Sequence, residues 1–306
     1  MFGQLSERSS NTFSPALEIS SYEALWTRYN TYPQLAKLFK RFEHALPSTV
    51  VSEEGFTPEE IQSIEREVES IFSFKKYASL FYRDFEYPER LRDARHPVEV
   101  LYYRGNLDLL SSKSVAVVGA RKASEDGLKR ARKITKLLVE NDFTVMSGLA
   151  EGIDTAAHTE AIALGGRTIG VMGTALNDAF PKQNKDLQNE LSRNYLIVSQ
   201  VPFVRYSRQN YSRNRWFFPE RNKTMSALSM ATVIVEASDT SGTLIQAQAA
   251  FEQGRKLFIL KSCFEQDLEW PNKFLAKGAI KIEDGTEILD ILKSNTNVKA
   301  SSLAKN

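Results

Sequence analysis

Residues 114–121 read SVAVVGAR and residues 143–154 read FTVMSGLAEGID. Each is a short apolar run that ends abruptly at glycine, with polar residues behind it. The texture repeats along the chain. Strand-like runs lie at 115–118, 143–146, 168–172, 195–198, 233–235, 257–260 and 280–282. Helical patterns fill the gaps at about 125–140, 153–164, 184–193, 220–230, 243–253 and 286–292. Short, almost fully apolar strands separated by helices imply a parallel sheet covered on both faces.

In such a sheet ligands bind at the carboxyl ends of the strands, at the switch point. Several loops are expected to converge there. Gly119-Ala120-Arg121 puts a cation behind the first strand. Ser147-Gly148 and Ser241-Gly242-Thr243 combine hydroxyls with glycine, which lets backbone approach a phosphate beside a helix N-terminus. The same residues also serve ordinary turn and capping chemistry.

Ahead of the sheet, residues 22–82 carry apolar residues at helical spacing and a capping box, Thr57-Pro58 with Glu60. Residues 1–20 and 294–306 are polar and aperiodic and read as mobile ends. The division expected is therefore a flexible stretch 1–20, a helical module 21–85, the sheet domain 86–293 and a flexible tail 294–306.

Residues 203–223 read FVRYSRQNYSRNRWFFPERNK. Arg205, Arg208, Arg213, Arg215, Arg221 and Lys223 stand against one acid, Glu220, with Phe203, Tyr206, Tyr211, Trp216, Phe217 and Phe218 between them. Cations for phosphates alternating with π-faces for bases suit a single-stranded nucleic acid. A solvated loop anchored by its aromatics has the same composition. With a net charge of only +2, the attraction to a polyanion has to be local.

Other chemistries lack their residues. GxGxxG fails after Gly119, no Walker A pattern occurs, and one cysteine with three histidines makes no zinc site of the usual kind. No metal and no cofactor is expected. No run approaches a membrane span and no signal peptide opens the chain, so a cytoplasmic protein is expected. Asp154 and His158, one helical turn apart, could be an acid–base pair. Bracing of the 147–152 loop by Asp154 and packing of His158 is the alternative. Cys263 reads as a core residue.

Several of these stretches, in this order, resemble the DNA-processing protein A (DprA/Smf) family. They are 114–121 (SVAVVGAR), 147–158 (SGLAEGIDTAAH), 165–176 (GGRTIGVMGTAL), 218–229 (FPERNKTMSALS) and 235–258 (VEASDTSGTLIQAQAAFEQGRKLF). The resemblance spans roughly 87–292. It implies an α/β, extended Rossmann-like, mostly parallel sheet preceded by a small helical module. It implies a cytoplasmic homodimer that binds and protects single-stranded DNA and loads the RecA recombinase in DNA uptake and natural transformation. Its DNA contacts map onto Gly119, Arg121, Ser147, Gly148, Phe218, Arg221, Asn222 and Lys223, with Ser241, Gly242 and Thr243 beside them. Arg205, Arg208, Arg213, Arg215 and Trp216 are further candidates from the basic stretch.

Departures mark a divergent member. Ala120 stands where the family has serine or threonine, Lys223 ends its RNR motif, and Leu260-Lys261-Ser262 replaces Val-Pro-Gly. The C-terminal winged-helix module of many members is not expected. No catalytic residue is assigned, because the Ser241–Thr243 loop is followed by Leu244-Ile245-Gln246 rather than the glutamates of phosphoribohydrolases with a similar loop. A sensor or processing protein for a free nucleotide, using the same loops, is the alternative function.

Overall fold

The computed structural model describes residues 13–303. Four helices come first: α1 (Pro15–Arg28), α2 (Tyr32–Arg41), α3 (Pro47–Glu53) and α4 (Pro58–Ile71). Each has proline in its first turn, where a missing N–H costs nothing. Ser14 caps α1, and Thr31 and Thr57 close capping boxes with Gln34 and Glu60. The stretch 1–20 expected to be loose is thus helical from Pro15; residues 1–12 of it lie outside the described residues. The reason is a packed face built partly of polar side chains, since Glu18, Ser20, Ser21 and Glu23 are buried beside Ile19 and Tyr22. Composition alone hides such a face.

The sheet follows. Its strands are β1 (Ala78–Phe81), β2 (Val100–Gly105), β3 (Ser114–Val118), β4 (Thr144–Ser147) and β5 (Thr168–Met172). They continue with β6 (Leu196–Ser199), β7 (Ala231–Ile234), β8 (Lys256–Leu260) and β9 (Ile280–Ile282). The nine strands are ordered β1-β2-β6-β5-β4-β3-β7-β8-β9. Strand β2 pairs antiparallel with both β1 and β6; from β6 to β9 every neighbour is parallel. All the strands read from the sequence are present with small shifts of their ends. β1 falls within residues 21–85, read as helical, because four residues are too few to show a period.

The remaining helices are α5 (Glu89–Arg92), α6 (Glu125–Glu140), α7 (Ile153–Ala163), α8 (Lys185–Asn194), α9 (Phe203–Arg208) and α10 (Tyr211–Asn214). After them come α11 (Phe217–Leu228), α12 (Thr243–Glu252), α13 (Trp270–Leu275) and α14 (Thr286–Leu303). Helix α14 runs on through most of the expected tail; its buried Ile288, Leu289 and Leu292 anchor a sequence that holds no Gly or Pro to stop it. Residues 304–306 lie outside the described residues. No described helix is long and apolar enough to cross a membrane.

Strand β3 shows why the sheet is apolar throughout. Val115 and Val117 pack with residues of α6, α7 and α14, while Ala116 and Val118 join the core beneath the first helices and α11. Both faces of the strand are therefore buried.

The stretch after β6, expected as a loop, folds into α9 and α10 and docks on the N-terminal helices. The rings of Trp26, Phe72 and Phe203 are buried there, each contributing about 1.5–3 kcal/mol. The Arg208–Glu67 ion pair is half-exposed and adds at most about 1 kcal/mol. Apolar burial therefore supplies the affinity, and polar groups set the register. Glu23 of α1 is one of these. It accepts from the Tyr102 hydroxyl (2.7 Å) and from the N–H groups of Phe203 (2.7 Å) and Val204 (3.1 Å).

Burial raises the Glu23 pKa to about 7, against the pull of its three donors. A carboxyl raised in the folded state stabilises fully below its unfolded pKa, and that contribution is lost as pH climbs to about 7. Glu23→Gln keeps an acceptor and cannot ionise. The melting temperature of this variant, relative to wild type, is expected to be more favourable at pH 8 than at pH 5. Thermal melts at both pH values check this; an offset independent of pH would show that Glu23 does not titrate in this window.

Candidate nucleic-acid interface

From β3 the chain works outward through β4, β5 and β6, then returns across β3 to lay down β7 on its other side. The switch point is therefore the crevice between the carboxyl ends of β3 and β7. A cleft of about 630 Å³ opens there, lined by Val118–Lys122 on one side and by Glu236–Ser238 and Ser241–Gly242 on the other.

The loop behind β3 is held rigidly. Ala120 N–H donates to Glu236 O (2.7 Å), and Ile153 N–H donates to Ala120 O (3.2 Å). The Glu236 carboxylate accepts from Ser124 N–H (3.0 Å) and Oγ (2.6 Å), fixing the start of α6. Gly152, at φ +75°, lies against the Ala120 and Arg121 carbonyls, where a Cβ would collide. The isolated carboxylate at 236 is thus a brace.

Beneath the cleft sits Arg221 of α11, only 5 % exposed. Its Nη1 donates to the carbonyls of Gly148 and Val171, the latter at 2.8 Å, and its Nε to Asn222 Oδ1 (2.8 Å). The guanidinium lies so close to Gly148 that any Cβ there would overlap it. Burial lowers the Arg221 pKa to about 10, which leaves it charged at neutral pH. Asp154 is buried nearby and accepts from the N–H groups of Gly148 (3.1 Å) and Ala150 (3.4 Å). Burial raises its pKa, opposed by the Arg221 charge and those amides. His158 is buried against Thr168 Oγ1 (2.7 Å), and burial pushes its pKa down to about 3, so it is neutral. Asp154 braces the loop and His158 packs.

The mouth carries the exposed chemistry. Arg121 stands 5.7 Å from the centre of the Phe218 ring. Phe218 lies on Gly173, where a side chain would displace it, and its ring centre is 5.2 Å from that of Phe180. Phe180 in turn meets Tyr211 at 5.4 Å, and Tyr211 is 55 % exposed. Lys122 and Arg215 also border the cleft. On the far wall, Asn222 Nδ2 donates to Gly242 O (3.0 Å) and Thr243 Oγ1 to Gly119 O (3.2 Å). Gly242 itself faces open space, so its backbone can be approached closely.

The structure therefore brings together Gly119, Arg121, Phe218, Arg221, Asn222, Ser241, Gly242, Thr243 and Arg215 around one cleft. Gly148 borders a smaller recess alongside, shared with Arg121 and Phe218. Other candidates stand apart. The Ser147 hydroxyl is buried and tied to Val117 O (2.7 Å), so it bridges strands instead of facing a ligand. Lys223 pairs with Glu220 (2.6 Å) on another side of α11, over a separate small cavity. Arg205 lies 4.8 Å from the Trp26 ring centre and Arg208 grips Glu67, both facing the N-terminal helices. Trp216 is stacked on Tyr32 (5.6 Å, 8°), and exposed Arg213 lies outside the cleft lining. Phe180 and Lys122 escaped the sequence reading. Both sit in loops already expected at the strand ends, a few residues beyond the glycines that drew notice.

The model of the family described as DNA recombination-mediator protein A matches residues 78–293. The DNA processing protein DprA of Streptococcus pneumoniae is 36% identical over 217 residues, 71% of this chain and 74% of that protein. DprA of Bacillus subtilis is 31% identical over 209 residues, 68% of each chain. Protein Smf of Synechocystis is 36% identical over 211 residues, 67% of this chain but only 50% of that longer protein. In structure, Streptococcus pneumoniae DprA superposes with a TM-score of 0.73 at 29% identity, covering 89% of this chain and 97% of that one. DprA of Helicobacter pylori, described for its single-stranded DNA binding mode, gives 0.61 at 25% identity over 72% of this chain and 96% of that one.

Proposed function

Since this chain belongs to the DNA recombination-mediator protein A family, we propose that its cleft is the binding site for single-stranded DNA in DNA processing. The observation that carries the reading is the pairing of Arg121 with the Phe218 ring at the switch point, opposite the open backbone of Gly242. A phosphate can meet the cation and the helix N-terminus while a base stacks on the ring. The protein binds and hands on the strand without breaking bonds; what supports this is that Asp154 and His158 are both engaged internally. A homodimer that protects the strand and passes it to RecA in recombination belongs to the same proposal, supported by the family's description as a recombination mediator.

Besides buried Arg221, three cations border the cleft: Arg121, Lys122 and Arg215. At about −0.7 per phosphate contact, the logarithm of affinity for an oligo-dT is expected to fall with log salt at a slope near −2 per protomer. Anisotropy titration of labelled oligo-dT, oligo-rU and a duplex, with mononucleotides as competitors, tests the proposal. Salt-dependent binding of oligo-dT that mononucleotides fail to displace is expected. Displacement by micromolar mononucleotide would overturn it in favour of a nucleotide sensor.

A further inference from the structure

Several of the contacts that hold the rim of the cleft come from a part of the chain that the family match does not include. That match begins at residue 78. Arg215 and Tyr211 reach the cleft from the segment α9–α10, and three side-chain or carbonyl grips on this segment come from Glu23, Asn30 and Glu67. Glu23 accepts from the first two N–H groups of α9. Arg205 Nη1 donates to Asn30 O (2.8 Å), with its guanidinium near the rings of Trp26 and Trp216. The Glu67 carboxylate takes both arms of Arg208, Nε at 2.9 Å and Nη2 closer still. Within the segment, Asn214 Nδ2 donates to Tyr206 O (3.0 Å), so α10 follows α9. Tyr206 Oη donates to Asp178 (2.7 Å), which ties the same unit to the loop carrying Phe180.

We propose that the N-terminal helices position the single-stranded DNA site, and that Glu67, through its fork with Arg208, is a positioning residue that sets where Tyr211 and Arg215 stand on the rim. The inference rests on the reading of the cleft as that site. Arg205 and Arg208, which composition offers as phosphate ligands, are then the inward-facing half of an arginine-rich segment. Its outward-facing half meets the DNA. A bidentate arginine–carboxylate pair suits this task because its geometry is directional and a lysine cannot reproduce it.

The charge arithmetic separates positioning from direct contact. Glu67→Arg removes an acid and adds a cation near a polyanion site. If Arg208 were a phosphate ligand merely screened by Glu67, this substitution would tighten oligo-dT binding. Positioning requires the opposite: Glu67→Arg and Arg208→Glu each weaken binding about fivefold or more, the loss expected when a stacking ring leaves its place. The double swap Glu67→Arg/Arg208→Glu restores most of it. In a Tyr211→Ala/Arg215→Ala background, Glu67→Arg has no further effect, because the groups it positions are gone. Near-UV circular dichroism and melting curves accompany each titration to confirm folding. Tighter binding by Glu67→Arg, or failure of a folded double swap to recover affinity, overturns the inference. Absence of oligo-dT binding by the wild type overturns the reading of the cleft instead.

Discussion

Replacing Arg221 with alanine is expected to lower the melting temperature by about 10 °C, from a loss of roughly 3–5 kcal/mol. The guanidinium is almost wholly buried, and its removal strands the carbonyls of Gly148 and Val171 and the Asn222 oxygen. Asp154 would lose the neighbouring charge that favours its ionised form and keep only the amides of Gly148 and Ala150. The loop between β4 and α7 would lose its fixed shape with them. Arg221→Lys is expected to rescue little, since one ammonium cannot span acceptors that a planar fork reaches together. Calorimetry or thermal circular dichroism on both variants checks the expectation. An Arg221→Ala protein that melts with the wild type yet fails to bind oligo-dT would make Arg221 a direct ligand and remove its role as a buried brace.

Phe218→Ala carries the largest expected effect on binding. A ring that stacks on a base contributes about 1–3 kcal/mol, so affinity for oligo-dT should fall about 5- to 150-fold. The surroundings of Phe218 favour this use. Its ring is seated on Gly173, leans on Phe180 and lies near Arg121, all of which fix its orientation before a strand arrives. Preorganised rings lose little entropy on binding. The salt slope distinguishes the contribution from an ionic one. Phe218→Ala should lower affinity at every salt concentration and keep the slope, whereas Arg121→Ala should reduce the slope by about 0.7. A flattened slope in Phe218→Ala would show that the ring serves only to hold Arg121.

Much of this architecture is legible in the sequence because its signals are local. A run such as Val115–Val118 announces a strand buried on both faces, and the glycines at 119 and 148 announce where β3 and β4 end. The topology then brings those ends together without further information. What stayed hidden depends on distant partners. Arg205, Arg208, Arg213 and Arg215 look alike in the sequence; only the positions of Trp26, Asn30 and Glu67 decide that the first two face inward. The partner of Ser147 is hidden for a similar reason, since its hydroxyl donates to Val117 O on the neighbouring strand. Lys223 belongs to the same helix as Phe218 and Arg221, yet its place on the helix turns it toward Glu220 and away from the cleft. The buried polar face of α1 is the hardest case, because Glu23 is stabilised by donors from β2 and α9 that no local pattern reveals.

The pairing of β3 with β7 joins Val115 to Ala231, across the whole excursion of the chain through β4, β5 and β6. Contacts between residues so far apart form slowly, and a chain emerging from the ribosome must wait for the later partner. Arg121, Lys122, Arg215 and Arg221 all precede β7. A chain that has reached the end of α11 therefore already carries these cations but lacks the wall formed by Glu236–Ser238 and Ser241–Gly242. The crevice takes shape only when the returning strand β7 and the loop behind it lie beside β3.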